Sequence, residues 1–299
     1  MAKLAAFVMA GRWQATSTVI GFALLGLLLP PLTLLSGAAL ALVGLRLGAG
    51  RALSVLTPAL VAVTVVSAFI TGHAWIGAIY GLAQWGPVLP LALALRHSFS
   101  LAFALLTATA VGLLAVAGIE ILAPGIEPLW TNLLDQTVRP ALMQAQLPTE
   151  TVDALLARTA RVMTGAVVAA TLLSLALTLL LARWWQALLY NPGGFRNEFV
   201  GLALGRPAAG ITLGLAAGAM LTKASLLIEL ALVGSAVFFL QGMAVIHAML
   251  AKSAYPGLWL AGVYGLLLLA LPQTMAGLAT LGAVDAFADF RARLARSGE

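Results

Sequence analysis

The chain has 299 residues, 62% of them hydrophobic and 9% charged, with a formal net charge of +6 and no cysteine. A soluble domain carries roughly 45–50% apolar and about 25% charged residues, so the composition excludes an ordinary globular domain. The missing cysteines exclude disulfides, thiolate metal sites and cysteine nucleophiles. The positive charge is assigned to membrane topology, and nucleic acid is not an expected partner, because no basic stripe with interleaved aromatics occurs in a soluble segment.

The predicted elements follow in chain order. Lys3 and Arg12 precede an apolar run with no convincing small-residue cleavage site, which reads as a retained first span rather than a signal peptide. The run over residues 13–43 is interrupted by Pro30-Pro31; prolines remove backbone donors and clash with the preceding turn, so two short spans meeting at a turn are expected. Further spans are expected at residues 52–70, 75–95 and 100–122. These runs do not alternate apolar and polar residues as barrel strands do.

A polar interval, residues 124–161, comes next. Glu127, Asp135, Glu150 and Asp153 outweigh Arg139 and Arg158 there, which suits the outer side of the membrane. Its stretch "LPTETVDALLARTARVM" predicts an amphipathic helix with Thr149 or Thr151 as N-cap. Spans are then expected at residues 162–182, 224–250 and 257–281. Between the first two lies a Gly/Ala-rich piece, residues 208–221, with Gly210, Gly214 and Gly218 four apart. That spacing lets helices approach closely and favours a piece buried in protein as a re-entrant segment. Eight crossings are therefore preferred, with nine if the piece spans.

Arginine placement orients the helices. Lys3, Arg12, Arg46, Arg51, Arg96, Arg183, Arg196 and Arg206 fall on one face if the spans alternate, and that face is expected to be cytoplasmic. The expected fold is all-α: a polytopic transmembrane helical bundle forming a single integral membrane domain over residues 1–299. Residues 183–207 form a cytoplasmic interfacial loop and residues 284–299 an amphipathic tail. A bacterial-type cytoplasmic (inner) membrane is the expected location, and the lipid bilayer the first partner.

Ionisable and amide groups inside spans are candidate ligand-binding residues, because burying them in hydrocarbon is costly unless they are compensated. Glu229 stands in "ASLLIELALVG", with Ser225 one turn earlier as a hydrogen-bond partner. Gln241 and His247 follow on the same helix. His247 lies eighteen residues beyond Glu229, on the same face but about 27 Å away, so the two form no joint catalytic pair. Gln84, between Tyr80 and Trp85 in a segment broken by Pro87 and Pro90, either lines a pocket or bonds to a neighbouring helix.

Enzyme motifs are absent: the three histidines lack the spacing of a zinc protease, and there is no Walker lysine, dinucleotide fingerprint or nucleophile elbow. No catalytic residue, metal site or cofactor is expected. In the interfacial loop, "NPGG" (residues 191–194) ends a helix and turns the chain. Phe195 and Phe199 dip into the interface beside Arg196, and Glu198 is left for a partner such as Arg206. In the tail, Asp285 and Asp289 precede Arg291, Arg293 and Arg296, an order that suits the helix dipole. It reads as an amphipathic cap on the lipid surface or as a docking helix for a cytoplasmic protein.

The pieces "GGFRNEFVGLALGRP", "FFLQGMAVIHAML" and "LGAVDAFADFR", in this order, resemble the YybS-like family of multi-pass membrane proteins, a domain-of-unknown-function family. The matching positions are Phe195, Glu198, Phe199, Arg206, Pro207, Gln241, Gly242, His247, Asp285, Phe290 and Arg291. That family looks distantly like the substrate-binding membrane subunits of energy-coupling-factor transporters, which rely on separate ATPases. The resemblance implies a transporter-like protein that binds a small molecule between helices and needs a cytoplasmic or membrane protein partner for energy. The competing expectation is a non-transporting scaffold whose cytoplasmic loop and tail recruit envelope or regulatory proteins. A solute-sized cavity reaching Glu229 speaks for transport, and a filled bundle with a polar platform for the scaffold.

Overall fold

The computed structural model describes residues 1–123, 125–251 and 253–296, and among them every regular element is a helix. Pro124, the first residue of the expected polar interval, and residues 297–299 of the expected tail lie outside the described residues. In chain order the helices begin with α1 (Ala2–Ala10), α2 (Arg12–Gly26), α3 (Leu32–Leu47), α4 (Ala49–Thr71), α5 (Ala74–Trp85), α6 (Val88–Ser98) and α7 (Leu101–Leu122). The polar interval holds α8 (Glu127–Thr137), α9 (Arg139–Gln144) and α10 (Thr149–Ala160). Then come α11 (Met163–Tyr190), α12 (Gly194–Val200), α13 (Arg206–Thr222) and α14 (Ser225–Leu250). The chain closes with α15 (Pro256–Leu269), α16 (Leu271–Ala288) and α17 (Phe290–Arg296).

Five of these segments are long and apolar enough to cross a bilayer: α4, the α5–α6 pair taken together, α7, α11 and α14. At 1.5 Å per residue each exceeds the hydrocarbon thickness of about 30 Å. The helices α3 and α15 are apolar but shorter. Exposed leucines and phenylalanines such as Phe69, Leu114, Leu122, Leu221 and Leu268 are what a lipid-facing surface requires, so the protein is a multi-pass helical membrane protein.

The chain packs as two compact units, residues 1–107 with 173–202 and residues 108–172 with 203–299. In the first unit, α2 and α3 form the hairpin expected at the double proline. Its end is tied down by polar groups from α5. The Leu27 N–H turns to the Leu24 carbonyl at 3.2 Å, so the Ala23 oxygen loses its helical donor and takes the Tyr80 hydroxyl at 3.0 Å instead. Trp85, fully buried, donates to Ser36 Oγ at 3.0 Å, and Ser36 donates to the Val19 carbonyl at 2.7 Å. Pro58 lies inside α4 and has no N–H for the Ser54 carbonyl; Arg12 Nε–H donates there at 3.1 Å.

In the second unit α14 is the central helix. Val233 and Ala236 of α14 pack with Val116 of α7 and Leu172 of α11. The helix α16 runs antiparallel to α14 at backbone contact: a Cβ on Gly242 would collide with the Leu278 carbonyl, and one on Gly282 with the Phe238 carbonyl. Only glycine permits that approach. Helices α8–α10 enclose their own small core of Leu134, Val152, Leu156 and Ala160. Arg139 clasps it from outside, donating to Asp135 at 2.8 Å and to Asp153 at 2.7 Å. Hydrogen bonding to Asp153, then to Asp135, raises the Arg139 pKa above its ordinary value.

Several expectations change. α10 has Pro148 at its N-cap and no capping side-chain bond, so neither Thr149 nor Thr151 serves. The expected last span, residues 257–281, divides at Ala270 into α15 and α16, because Pro272 in the first turn of α16 cannot continue a preceding helix. The glycine spacing of residues 208–221 marks packing only in part: Gly210 and Gly214 face open space, Gly218 lies against Leu227 of α14, and α13 also meets α14 through Thr212, which packs on Gly234. Helix α11 continues to Tyr190 and α16 to Ala288, so residues 183–190 and 284–288 belong to packed helices.

Candidate functional site

In the first unit the ends of α3 and α6, the last turns of α11, and α12 surround a cavity of about 700 Å³. It is lined by Arg46, Arg96, His97, Arg183, Gln186 and Glu198, with Leu45, Leu95 and Phe99 as apolar wall. Each polar group is held by a local cause. The "NPGG" turn does what its composition predicts: Asn191 N–H closes on Ala187, Gly194 N–H on Asn191, and Gly193 takes φ 85°. The turn folds α12 back along α11, so that Glu198 Oε2 meets Arg183 Nε at 2.8 Å. Arg183 Nη1 also donates to Gln186 Oε1 at 3.1 Å.

Arg96 donates through Nη1 to the Leu45 carbonyl at 2.6 Å, covering one of the orphan oxygens at the end of α3. The Arg46 guanidinium lies 4.4 Å from the centre of the Tyr190 ring, a cation–π contact. Phe99 closes the wall in the left-handed region at φ 54° and is 89% exposed; a bulky residue rarely adopts that conformation. Three arginines against one glutamate give the lining a net charge of +2 with His97 neutral. A guanidinium carries five N–H donors, so the bonds above leave donors over. Low-dielectric walls focus such a field.

The residues nominated from sequence are distributed differently. Glu229, 4% exposed, accepts the Gly165 N–H at 3.1 Å rather than bonding to Ser225. Gly165 lies in the first turn of α11, and its Cα packs directly on the Glu229 backbone. A carboxylate from α14 thus caps the N-terminus of α11, where orphan donors and the helix dipole favour negative charge. Trp130 of α8 donates to Thr164 beside it at 2.9 Å. Gln84 donates to the Thr33 carbonyl at 3.1 Å, fastening α5 to the start of α3.

Gln241 is fully buried and used at both ends. Its Oε1 accepts the Leu204 N–H at 2.8 Å, and its Nε2 donates to Asp285 Oδ2 at 3.1 Å. Asp285, 2% exposed, also accepts from Arg291 Nη2 at 2.8 Å and from the Phe290 N–H at 3.1 Å. One carboxylate therefore joins α14, α16 and the first turn of α17. Asp289 stands between the last two helices at φ 46° and accepts the Ala292 N–H at 3.2 Å. His247, half-buried, has Nδ1 at 2.8 Å from the Met243 carbonyl and Nε2 at 3.3 Å from the Tyr264 hydroxyl.

The structure brings together Gln241, Asp285 and Arg291, and separately Phe195 with Phe199, whose rings stack at 6.0 Å. Arg196 and Arg206 are exposed. Glu198 pairs with Arg183 instead of Arg206, because α11 extends past Arg183 and the turn brings α12 alongside. Of the nominated residues, the cavity's lining contains Glu198 and none of Glu229, Gln84, Gln241 or His247. Sequence reasoning missed Arg46, Arg96, His97, Arg183 and Gln186 as a group. The available signal is that three arginines recur at the ends of alternate spans, which bears on topology and also on their convergence. No family model, curated protein or solved structure matches this chain.

Proposed function

We propose that the chain is a transporter-like protein of a bacterial-type cytoplasmic membrane, crossing it about eight times and binding a small solute in the arginine-lined cavity. Energy would come from a partner protein, since the chain carries no nucleotide-binding motif. The observation that carries the reading is a cavity of about 700 Å³, within the 300–1,000 Å³ typical of small-ligand sites. Its convergent polar groups come from helix ends that the positive-inside rule assigns to the cytoplasm. The resemblance to YybS-like proteins points the same way. In this reading the solute lies in the arginine-lined cavity and not at Glu229, whose carboxylate is occupied as a helix cap. Purification of the complex from native membranes followed by native mass spectrometry tests the reading: a small molecule and an ATPase are expected to co-purify, and recovery of neither refutes it.

A scaffold role is favoured by a different observation. Arg196 is exposed next to the stacked Phe195 and Phe199 on α12, a small amphipathic platform for a cytoplasmic protein. Under that reading an Arg196→Glu, Phe199→Ala variant loses a protein partner in the same purification while the small molecule is unaffected.

A further inference from the structure

The cavity's charge selects among solutes. Resting on the solute-binding reading above, we infer that its ligand is an anion bearing a phosphoryl group, held as the dianion by Arg46, Arg96 and Arg183. Three guanidinium groups and one carboxylate line the space, and their sum of +2 matches a phosphate monoester, which carries about −1.5 to −2 at pH 7. A single carboxylate would leave the site half neutralised. The guanidinium fork suits phosphoryl oxygens, and arginine is the residue preferred for such recognition.

The anchoring of each arginine adds a second reason. Arg96 is braced on the Leu45 carbonyl, Arg46 on the Tyr190 ring, and Arg183 between Glu198 and Gln186. Side chains already fixed by such contacts lose less rotamer freedom when an anion arrives. Glu198 has a distinct role: it holds Arg183 at 2.8 Å and repels the ligand, so it tunes affinity downward and permits release. The phosphoryl group can belong to a free phosphate monoester or to the monoester headgroup of phosphatidic acid, since basic pockets between membrane helices bind anionic headgroups.

The test uses the full chain in nanodiscs. In phosphatidylcholine discs, equilibrium binding of radiolabelled inorganic phosphate and of phenyl phosphate reads the free-anion source. Discs containing phosphatidic acid, whose headgroup is a phosphomonoester, analysed by native mass spectrometry for retained lipid, read the headgroup source. Binding in either arm supports the inference, provided two variants move it in opposite directions. Arg46→Gln is expected to weaken retention about tenfold, and Glu198→Gln to strengthen it about threefold to tenfold, because the lining charge becomes +1 or +3. The second variant protects the test, since misfolding does not tighten binding. Equal retention of phosphatidylcholine and phosphatidic acid with no phosphate binding overturns the inference, as does weakening by Glu198→Gln. A neutral or cationic metabolite that co-purifies and is lost in Arg46→Gln overturns the anion while sparing the solute-binding reading. No bound molecule of any class overturns both.

Discussion

Replacing Asp285 by alanine tests the most connected polar group described in the second unit. The side chain has no exposure and accepts from Arg291, Gln241 and the Phe290 N–H. The substitution removes the acceptor and strands three donors. Removing one partner of a buried ion pair costs about 3–5 kcal/mol, most of it from the charge left behind. Leaving a buried neutral donor unmet costs about 1–3 kcal/mol. Arg291 keeps 17% exposure and can swing partly to solvent, which places the total near the lower end, about 3–4 kcal/mol. Arg291→Ala is milder, about 1–3 kcal/mol, because Asp285 retains two neutral donors. The pair should therefore couple by about 1–3 kcal/mol in a double-mutant cycle. Equilibrium unfolding in mixed micelles measures the free energies, and hydrogen exchange at Phe290 and Ala292 reports whether α17 has detached. A loss below about 1 kcal/mol for Asp285→Ala, or additive single and double variants, would falsify the account of a buried junction.

Three further outcomes follow from the same geometry. Glu229→Ala is expected to destabilise by about 2–4 kcal/mol in the same unfolding assay, through a lost N-cap and an unmet buried N–H. Glu229→Gln, which keeps an acceptor for Gly165, should cost less than half of that and leave retention in the arginine cavity unchanged; abolished retention would restore Glu229 as a ligand group. Gly282→Leu should separate α14 from α16 and cost more than 3 kcal/mol, while Gly214→Leu on the open face of α13 should change stability by under about 1 kcal/mol. For Arg139, the raised pKa fixes the sign: its contribution is fully present below the ordinary arginine value and is lost only as pH rises through the still higher folded value. Melting of the α8–α10 segment, followed by a probe on Trp130, should therefore show no arginine-linked transition between pH 7 and 11.

Much of the architecture was legible in the sequence because it depends on local physics. Hydropathy over about 20 residues decides whether a segment seeks lipid, and that signal located α4, α7, α11 and α14. Pro30-Pro31 and the Asn191–Gly194 turn act through backbone geometry of a few residues, so both were readable in advance. The polar interval kept its one expected amphipathic helix as α10, whose Val152, Leu156 and Ala160 lie on one face; α8 and α9 were not foreseen. Boundaries were less legible. Helices α11 and α16 run past the expected ends into residues that sequence composition marks as interfacial, because packing partners outweigh the polarity of single side chains.

The candidate site belongs to the other category. Which donor meets which acceptor is decided by the registry of helices far apart in sequence: Gln241 reaches Leu204 and Asp285 across 37 and 44 residues, and Arg96 reaches Leu45 across 51. The sequence marked Glu229 and Gln241 as costly to bury, and the packing revealed that protein groups compensate both; Asp285, expected on an amphipathic tail, is buried with them. Glycine spacing carried the same ambiguity. Gly210 and Gly214 have the four-residue repeat and touch nothing, whereas Gly242 and Gly282, forty residues apart, seat two backbones against each other. Sequence by itself determined a helical, lipid-embedded chain with arginines at one set of helix ends, because transfer free energy and charge placement are properties of segments. Tertiary structure alone decided that three of those arginines line one open cavity, because convergence is a property of how the segments pack.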